Sequence, residues 1–167
     1  MDTTLLYTDQ VAKHIETKID NLTNVLNVFV DELQKIDPTL RNADEEANQS
    51  LLSFLKTLPA HGMWFDFSPS AQRNGQRLSN GYMKHGETLD AIKGLENEFL
   101  TDLYGNDSGV NVFFAKRKFF VKDHDGTLGS IYRPILRDQK VVGIAGIEIL
   151  YENFFLGLKI YNWRISQ

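Results

Sequence analysis

The apolar residues near the start of the chain recur at helical spacing. Val11, Ile15, Ile19, Leu22, Leu26, Phe29, Leu33 and Ile36 are separated by steps of three or four, which places them on one face of a helix. Lys13, Thr17, Asp20, Asn24 and Asn27 take the opposite face. Thr8 or Asp9 is the expected cap, and Asp37-Pro38 the expected end. A helix of roughly 28 residues spans about 42 Å, more than the core of a small domain. Part of it therefore overhangs or packs against another chain. The stripe is also close to a heptad seam. Two uses compete, packing on a sheet and parallel pairing with its twin, and different stretches of one long helix can serve both.

A second helix is predicted after it. Asn42 and Glu45 have capping-box spacing, Leu51, Phe54, Leu55 and Leu58 form its buried stripe, and Pro59 ends it. From His61 to Phe67 the chain turns aromatic and weakly alternating, the pattern of a strand. Ser68 to Gly81 is polar, with Pro69 and Gly75, and reads as a loop over the sheet. Thr88 to Tyr104 carries Leu89, Ile92, Phe99, Leu100 and Leu103 at helical spacing, interrupted by Gly94, and predicts one or two short helices. Val110 to Ala115 and Lys118 to Val121 are short apolar runs, followed by a turn at Asp123-His124-Asp125-Gly126. Thr127 to Leu136 and Val141 to Leu150 are longer strands joined by Arg137 to Lys140, a connection short enough to imply antiparallel pairing. The tail from Tyr151 reads as a helix and then a short strand. The order predicts an α+β domain, with helices packed on one antiparallel sheet of about five strands. It spans residues 1–167 as a single unit, with the long helix in 1–37 and the sheet in 60–150.

Composition narrows the function. With 167 residues and 42% hydrophobic side chains, the chain can bury one core. A net charge of −4, and no basic run longer than Lys116-Arg117-Lys118, argues against nucleic acid as a partner. The absence of cysteine removes disulfides, thiolate metal sites and a Cys nucleophile. No apolar run approaches the ~18 residues of a membrane span, and no signal peptide opens the chain, so any membrane anchor is expected outside this sequence. No Gly-x-Ser-x-Gly elbow or phosphate loop is present, and no enzymatic activity or cofactor is expected. Asp123-His124-Asp125 lacks the rest of a calcium loop. His14, His61 and His85 are scattered without ligand spacing, so no metal site is expected.

The run Asp123 to Leu150 resembles the end of a Cache (PDC) domain, the PAS-like sensor module of bacterial signalling proteins. Pro134-Ile135 matches the strand that ends in Pro-Ile. Val141-Val142-Gly143 and Gly146-Ile147-Glu148-Ile149 match the following Val-Val-Gly-Val-x-Gly-hydrophobic-Asp strand, with Glu148 where the family usually has Asp. The long leading helix fits the same architecture, whereas the Arg-x-Trp-Tyr signature of amino-acid-binding double Cache domains is absent. The resemblance implies a PAS-like sheet, a small-molecule ligand and a sensory role, with the first helix carrying the signal and pairing two copies. Cache domains usually face outward on membrane receptors, which implies a periplasmic or extracytoplasmic piece. A chain starting at Met1 without an export signal fits the cytoplasm, and the sequence leaves both open.

A pocket between sheet and covering loop needs apolar walls and a few oriented polar groups. The candidates are Trp64 and Asp66 on the first strand, Arg73 and Arg77 in the loop, Tyr82 after it, Tyr132 and Arg133 on the Pro-Ile strand, and Glu148. Arginine forks onto a carboxylate. Asp66 or Glu148 suits an amine, and Trp64 and Tyr132 supply flat contact and cation–π attraction. The ligand implied is a metabolite of carboxylate or amino-acid-like type. A ligand-free PAS-like dimerisation module with an aromatic-filled core is the competing expectation. Pro134 must sit at a bulge, edge or strand end, and Gly143 and Gly146 leave room for a neighbouring ring or a ligand.

Overall fold

The computed structural model of the chain describes residues 3–68, 71, 78–92, 111–115 and 128–150. Two helices, α1 (Thr3–Gln34) and α2 (Ala43–Thr57), precede six strands: β1 (Gly62–Phe67), β2 (Ser79–His85), β3 (Thr88–Ala91), β4 (Asn111–Ala115), β5 (Leu128–Arg137) and β6 (Lys140–Leu150). The strands form one sheet of order β3-β2-β1-β6-β5-β4, with every pairing antiparallel. The α+β expectation holds, with six strands among the described residues.

Helix α1 contains neither Gly nor Pro, and its 32 residues extend for about 48 Å at 1.5 Å per residue. Thr8 and Asp9 lie inside it, not at its start. Its apolar stripe changes character along its length. Leu22, Leu26, Phe29, Val30 and Leu33 are buried, whereas Val11, Ile15 and Ile19 are only half-buried. The sheet therefore takes the C-terminal half of the helix and leaves the other half partly uncovered, as the length argument requires.

The capping box at Asn42 does not form. Asn42 makes no side-chain cap, and its amide instead donates to Glu46 Oε1 at 2.6 Å. Asp44, Glu45 and Glu46 sit in the first turn of α2, where negative charge complements the helix dipole. Ala43, Ala47, Leu51 and Leu55 face the core. Phe29 joins the layers, with ring centroids 5.5 Å from Phe54 on α2 and 6.5 Å from Phe65 on β1.

The region expected as loop and then helix is a β-hairpin where it is described. Ser79–His85 pairs with β1 on one side and with Thr88–Ala91 on the other. Gly86 takes φ 59° at the first position of the two-residue turn, the site that a type II′ hairpin reserves for glycine. The helical spacing of Leu89 and Ile92 lost to this turn. Leu89 is 42% exposed on an edge strand. The expected strand over Lys118 to Val121, the expected turn over Asp123 to Gly126 and the expected elements from Tyr151 onward lie outside the described residues.

β5 and β6 pair along their whole length, as expected. Their two-residue turn places Asp138 and Gln139 at φ 50° and 62°, the type I′ geometry without a glycine. A register shift near Ile135 and Leu136 gives β6 one extra residue, Val142, before Gly143 pairs with Ile135. Pro134 lies beyond Tyr132, the last β5 residue paired by β4 among the described residues, a position outside the described ladder on that edge, where a proline is tolerated. The Leu136 amide on this stretch donates to Gln34 Oε1 of α1 at 3.1 Å. Arg133 Nη1 donates to Asn27 Oδ1 at 2.6 Å, and Arg137 Nη2 to the Ile36 carbonyl at 3.0 Å. Two polar contacts from α1, at Asn27 and Gln34, and one from Ile36 just after it thus tie this end of the helix to β5.

Two expectations follow for stability. Phe29→Ala is expected to lower the unfolding free energy by about 3–5 kcal/mol in urea titrations, while Val28→Ala on the exposed flank changes it by no more than about 0.5 kcal/mol. Gln139→Gly removes a side chain from a left-handed position, and a gain of about 1 kcal/mol is expected in the same measurement.

Candidate functional site

The sheet has two differently furnished faces. Met63, Phe65, Phe67, Ile131, Ile135, Ala145, Ile147 and Ile149 join the core under α1 and α2. Strand side chains alternate, so Gly62, Trp64 and Asp66 of β1, Ser130 and Tyr132 of β5, and Gly146 and Glu148 of β6 point the other way. All six residues of β1 are buried, which means that this far face is also shielded from water. Burial on both faces explains why polarity alternates only weakly along β1.

Register lines these residues up in rows. Tyr132, Gly146, Trp64 and Gly81 form one row, and Ser130, Glu148, Gly62 and Met83 the next. Asp66 lies beyond Trp64, beside Ile144 and Ser79. A β-carbon on Gly146 would collide with the Trp64 indole, and one on Gly62 with Met83. Glycine at 146 is what lets the ring lie flat across β6.

The indole is fixed at its polar end. Trp64 Nε1 donates to Glu148 Oε1 at 2.8 Å, and Ser130 Oγ donates to the same oxygen at 2.7 Å. Glu148 is 2% exposed and Asp66 0%. A buried carboxylate is costly unless hydrogen-bonded, and charge-assisted donors are the stronger kind. The far face therefore holds two buried acids, an indole and a phenol ring within three strands.

Of the sequence candidates, Trp64, Asp66, Tyr132 and Glu148 come together here. Tyr82 and Arg133 do not join them, because their register partners Met63 and Ala145 face the helices. Tyr82 donates its hydroxyl to Asn48 Oδ1 of α2 at 3.1 Å, and Arg133 is the partner of Asn27. Arg73 and Arg77 lie outside the described residues. Ser130 was missed in the sequence. Its signal was there, one polar residue spaced two before Tyr132 in an apolar strand, but only the β5–β6 register brings it to Glu148. Among the described residues no cluster of His, Cys, Asp or Glu is arranged to hold a metal, and no helix is long and apolar enough to cross a membrane.

A long helix and a shorter one on one face of an antiparallel sheet, with a buried polar patch on the other, make an α+β, PAS-like fold. No protein-family model matches the sequence, and no curated protein matches it. Solved structures do match. The periplasmic sensory domain of the Campylobacter jejuni chemoreceptor Tlp1 superposes with a TM-score of 0.67 at 11% identity, over 89% of this chain and 59% of that one. The ligand-binding domain of C. jejuni Tlp3 in complex with L-valine gives 0.54 at 11% identity, over 90% and 64%. The Pseudomonas aeruginosa amino acid chemoreceptor PctC with GABA gives 0.57 at 12% identity, over 87% and 61%. The chain has the fold of these sensory domains and spans about 60% of their length.

Glu148→Ala removes the acceptor of two buried donors. A loss of about 2–6 kcal/mol is expected, at about 1–3 kcal/mol per orphaned group, whereas Glu148→Gln, which keeps an acceptor oxygen, is milder. Gly146→Ala is expected to cost about 1–3 kcal/mol through overpacking and to change the Trp64 emission spectrum. Fluorescence-detected urea unfolding in a Trp163→Phe background reads both effects.

Proposed function

We propose that the chain is the small-molecule-sensing part of a bacterial signal-transduction protein and acts by binding, without catalysis. The observation that carries this reading is the far face, where Trp64, Tyr132, Ser130, Glu148 and Asp66 form a buried polar and aromatic floor opposite the helices. The match to sensory-domain folds supports it. A metabolite of amino-acid-like or carboxylate type suits the floor. The acids hold an amine, the rings supply flat contact, and Arg73 and Arg77 remain the candidates for a ligand carboxylate.

The relay runs through α1. β5 carries Ser130 and Tyr132 on the ligand side and is tied to α1 by Arg133, Leu136 and Arg137 on its other flank. A ligand that shifts β5 also shifts those ties, by no more than its difference in affinity between the two states. The half-covered stretch with Val11, Ile15 and Ile19 supports parallel pairing with a second copy. The periplasmic location of the Tlp1 domain supports an extracytoplasmic position for this one.

One observation favours a second reading, a ligand-free structural module. Glu148 Oε1 already accepts from Trp64 and Ser130, so this corner of the floor is satisfied by the protein itself. A thermal-shift screen of the full chain against amino acids, amines and short carboxylates separates the two. A ligand at 100 times its Kd adds about 2.7 kcal/mol, and the resulting rise in Tm is expected to shrink in Trp64→Phe and Glu148→Gln. A flat response across the library, together with a crystal structure in which the chain's own side chains fill the space over Trp64, decides for the structural module.

A further inference from the structure

Where α1 meets the end of the sheet, α1, the loop before β1 and the ends of β2 and β6 line a partly open cavity of about 410 Å³. That is within the range of small-molecule sites, about 300–1,000 Å³. Leu22, Val25, Ile149 and Leu150 make its walls apolar, the Lys18 side chain borders it, and Lys84 brings an ammonium group to it. His61 is the other titratable residue of its described lining, which contains no Asp or Glu.

Lys84 is the informative residue. Its ammonium donates to the Leu58 carbonyl. Burial holds its pKa below the ordinary lysine value, with no charged partner acting in the other direction. An ammonium partly stripped of water and lacking a countercharge is stabilised by an incoming anion. A second groove adjoins the cavity through Val25 and Pro59 and runs between α1 and α2 past Val28 and Phe54. Val28 is 52% exposed there.

We propose that this cavity binds a small amphiphilic carboxylate, with its head group at Lys84 and its alkyl chain along Leu22, Val25 and the groove toward Val28. The site is distinct from the far-face floor, since none of Trp64, Asp66, Ser130, Tyr132 and Glu148 belongs to its described lining. It touches α1 where the helix meets the core at Leu22, so its occupant acts on the same helix as a second input.

The test is calorimetric titration of the full chain with sodium octanoate, well below its micellar concentration. Saturable binding is expected, weaker by about tenfold or more in Lys84→Met and for octanol, which keeps the chain and loses the charge. Trp64→Phe is expected to leave it unchanged. Because Lys84→Met can disturb the loop before β1, the lysine side-chain carbon signals of the unmodified protein give a second reading. Octanoate is expected to raise the Lys84 pKa, and its affinity falls as pH rises through that pKa. Absence of binding, equal affinity for octanol, an unmoved Lys84 titration, or loss of binding in Trp64→Phe would each overturn the proposal.

Discussion

The structure depends on β6 being paired on both edges from Gly143 to Glu148. β1 lies on one side of it and β5 on the other. With both edges hydrogen-bonded, its alternate side chains are committed to opposite faces. Ala145, Ile147 and Ile149 must enter the helix-side core, while Gly146 and Glu148 must enter the far face. A slip of one residue would move Glu148 beneath α1 and the isoleucines to the other side. Strand β6 thus sets where the apolar core ends and the polar floor begins.

The helices cover one of these faces and so leave the other as the candidate site. Phe29 contacts Phe54 and Phe65, which makes α1, α2 and β1 one packed body, since interiors packed at crystal-like density do not deform freely. The polar ties from Asn27, Gln34 and Ile36 to β5 join the same helix to the strand that carries Ser130 and Tyr132. One element therefore has a side chain on each side of the sheet, and this is the physical basis for the proposed coupling. The stretch of α1 before Leu22 touches this body only through half-buried residues such as Ile15 and Ile19.

The far face gathers costly groups at one place. Two acids are buried there, and the indole of Trp64 lies flat only because residue 146 has no side chain. Buried polar networks are stable when each member is satisfied and fragile when one is lost. Glu148 is accordingly a structural acceptor as well as a candidate ligand group, and its substitutions carry a stability effect that has to be separated from any binding effect.

The local pattern by itself determined the long helix, the second helix, the β5–β6 hairpin and the α+β class. Each of these follows from periodicity, from Pro at an element end, or from a short polar connection. Trp64, Asp66, Tyr132 and Glu148 were legible as site candidates because polar and aromatic residues stood out in apolar strands. Tertiary structure alone decided which of the candidates meet. Tyr82 and Arg133 were as plausible in sequence as Tyr132, but register turned them toward Asn48 and Asn27. The β2–β3 hairpin was hidden by the accidental helical spacing of Leu89 and Ile92, and Ser130 gained its role only from Glu148 across the strand. The reason is the same in each case. Helical spacing and turn chemistry are properties of neighbours in the chain, whereas the face a strand residue occupies is set by a partner strand far away in sequence.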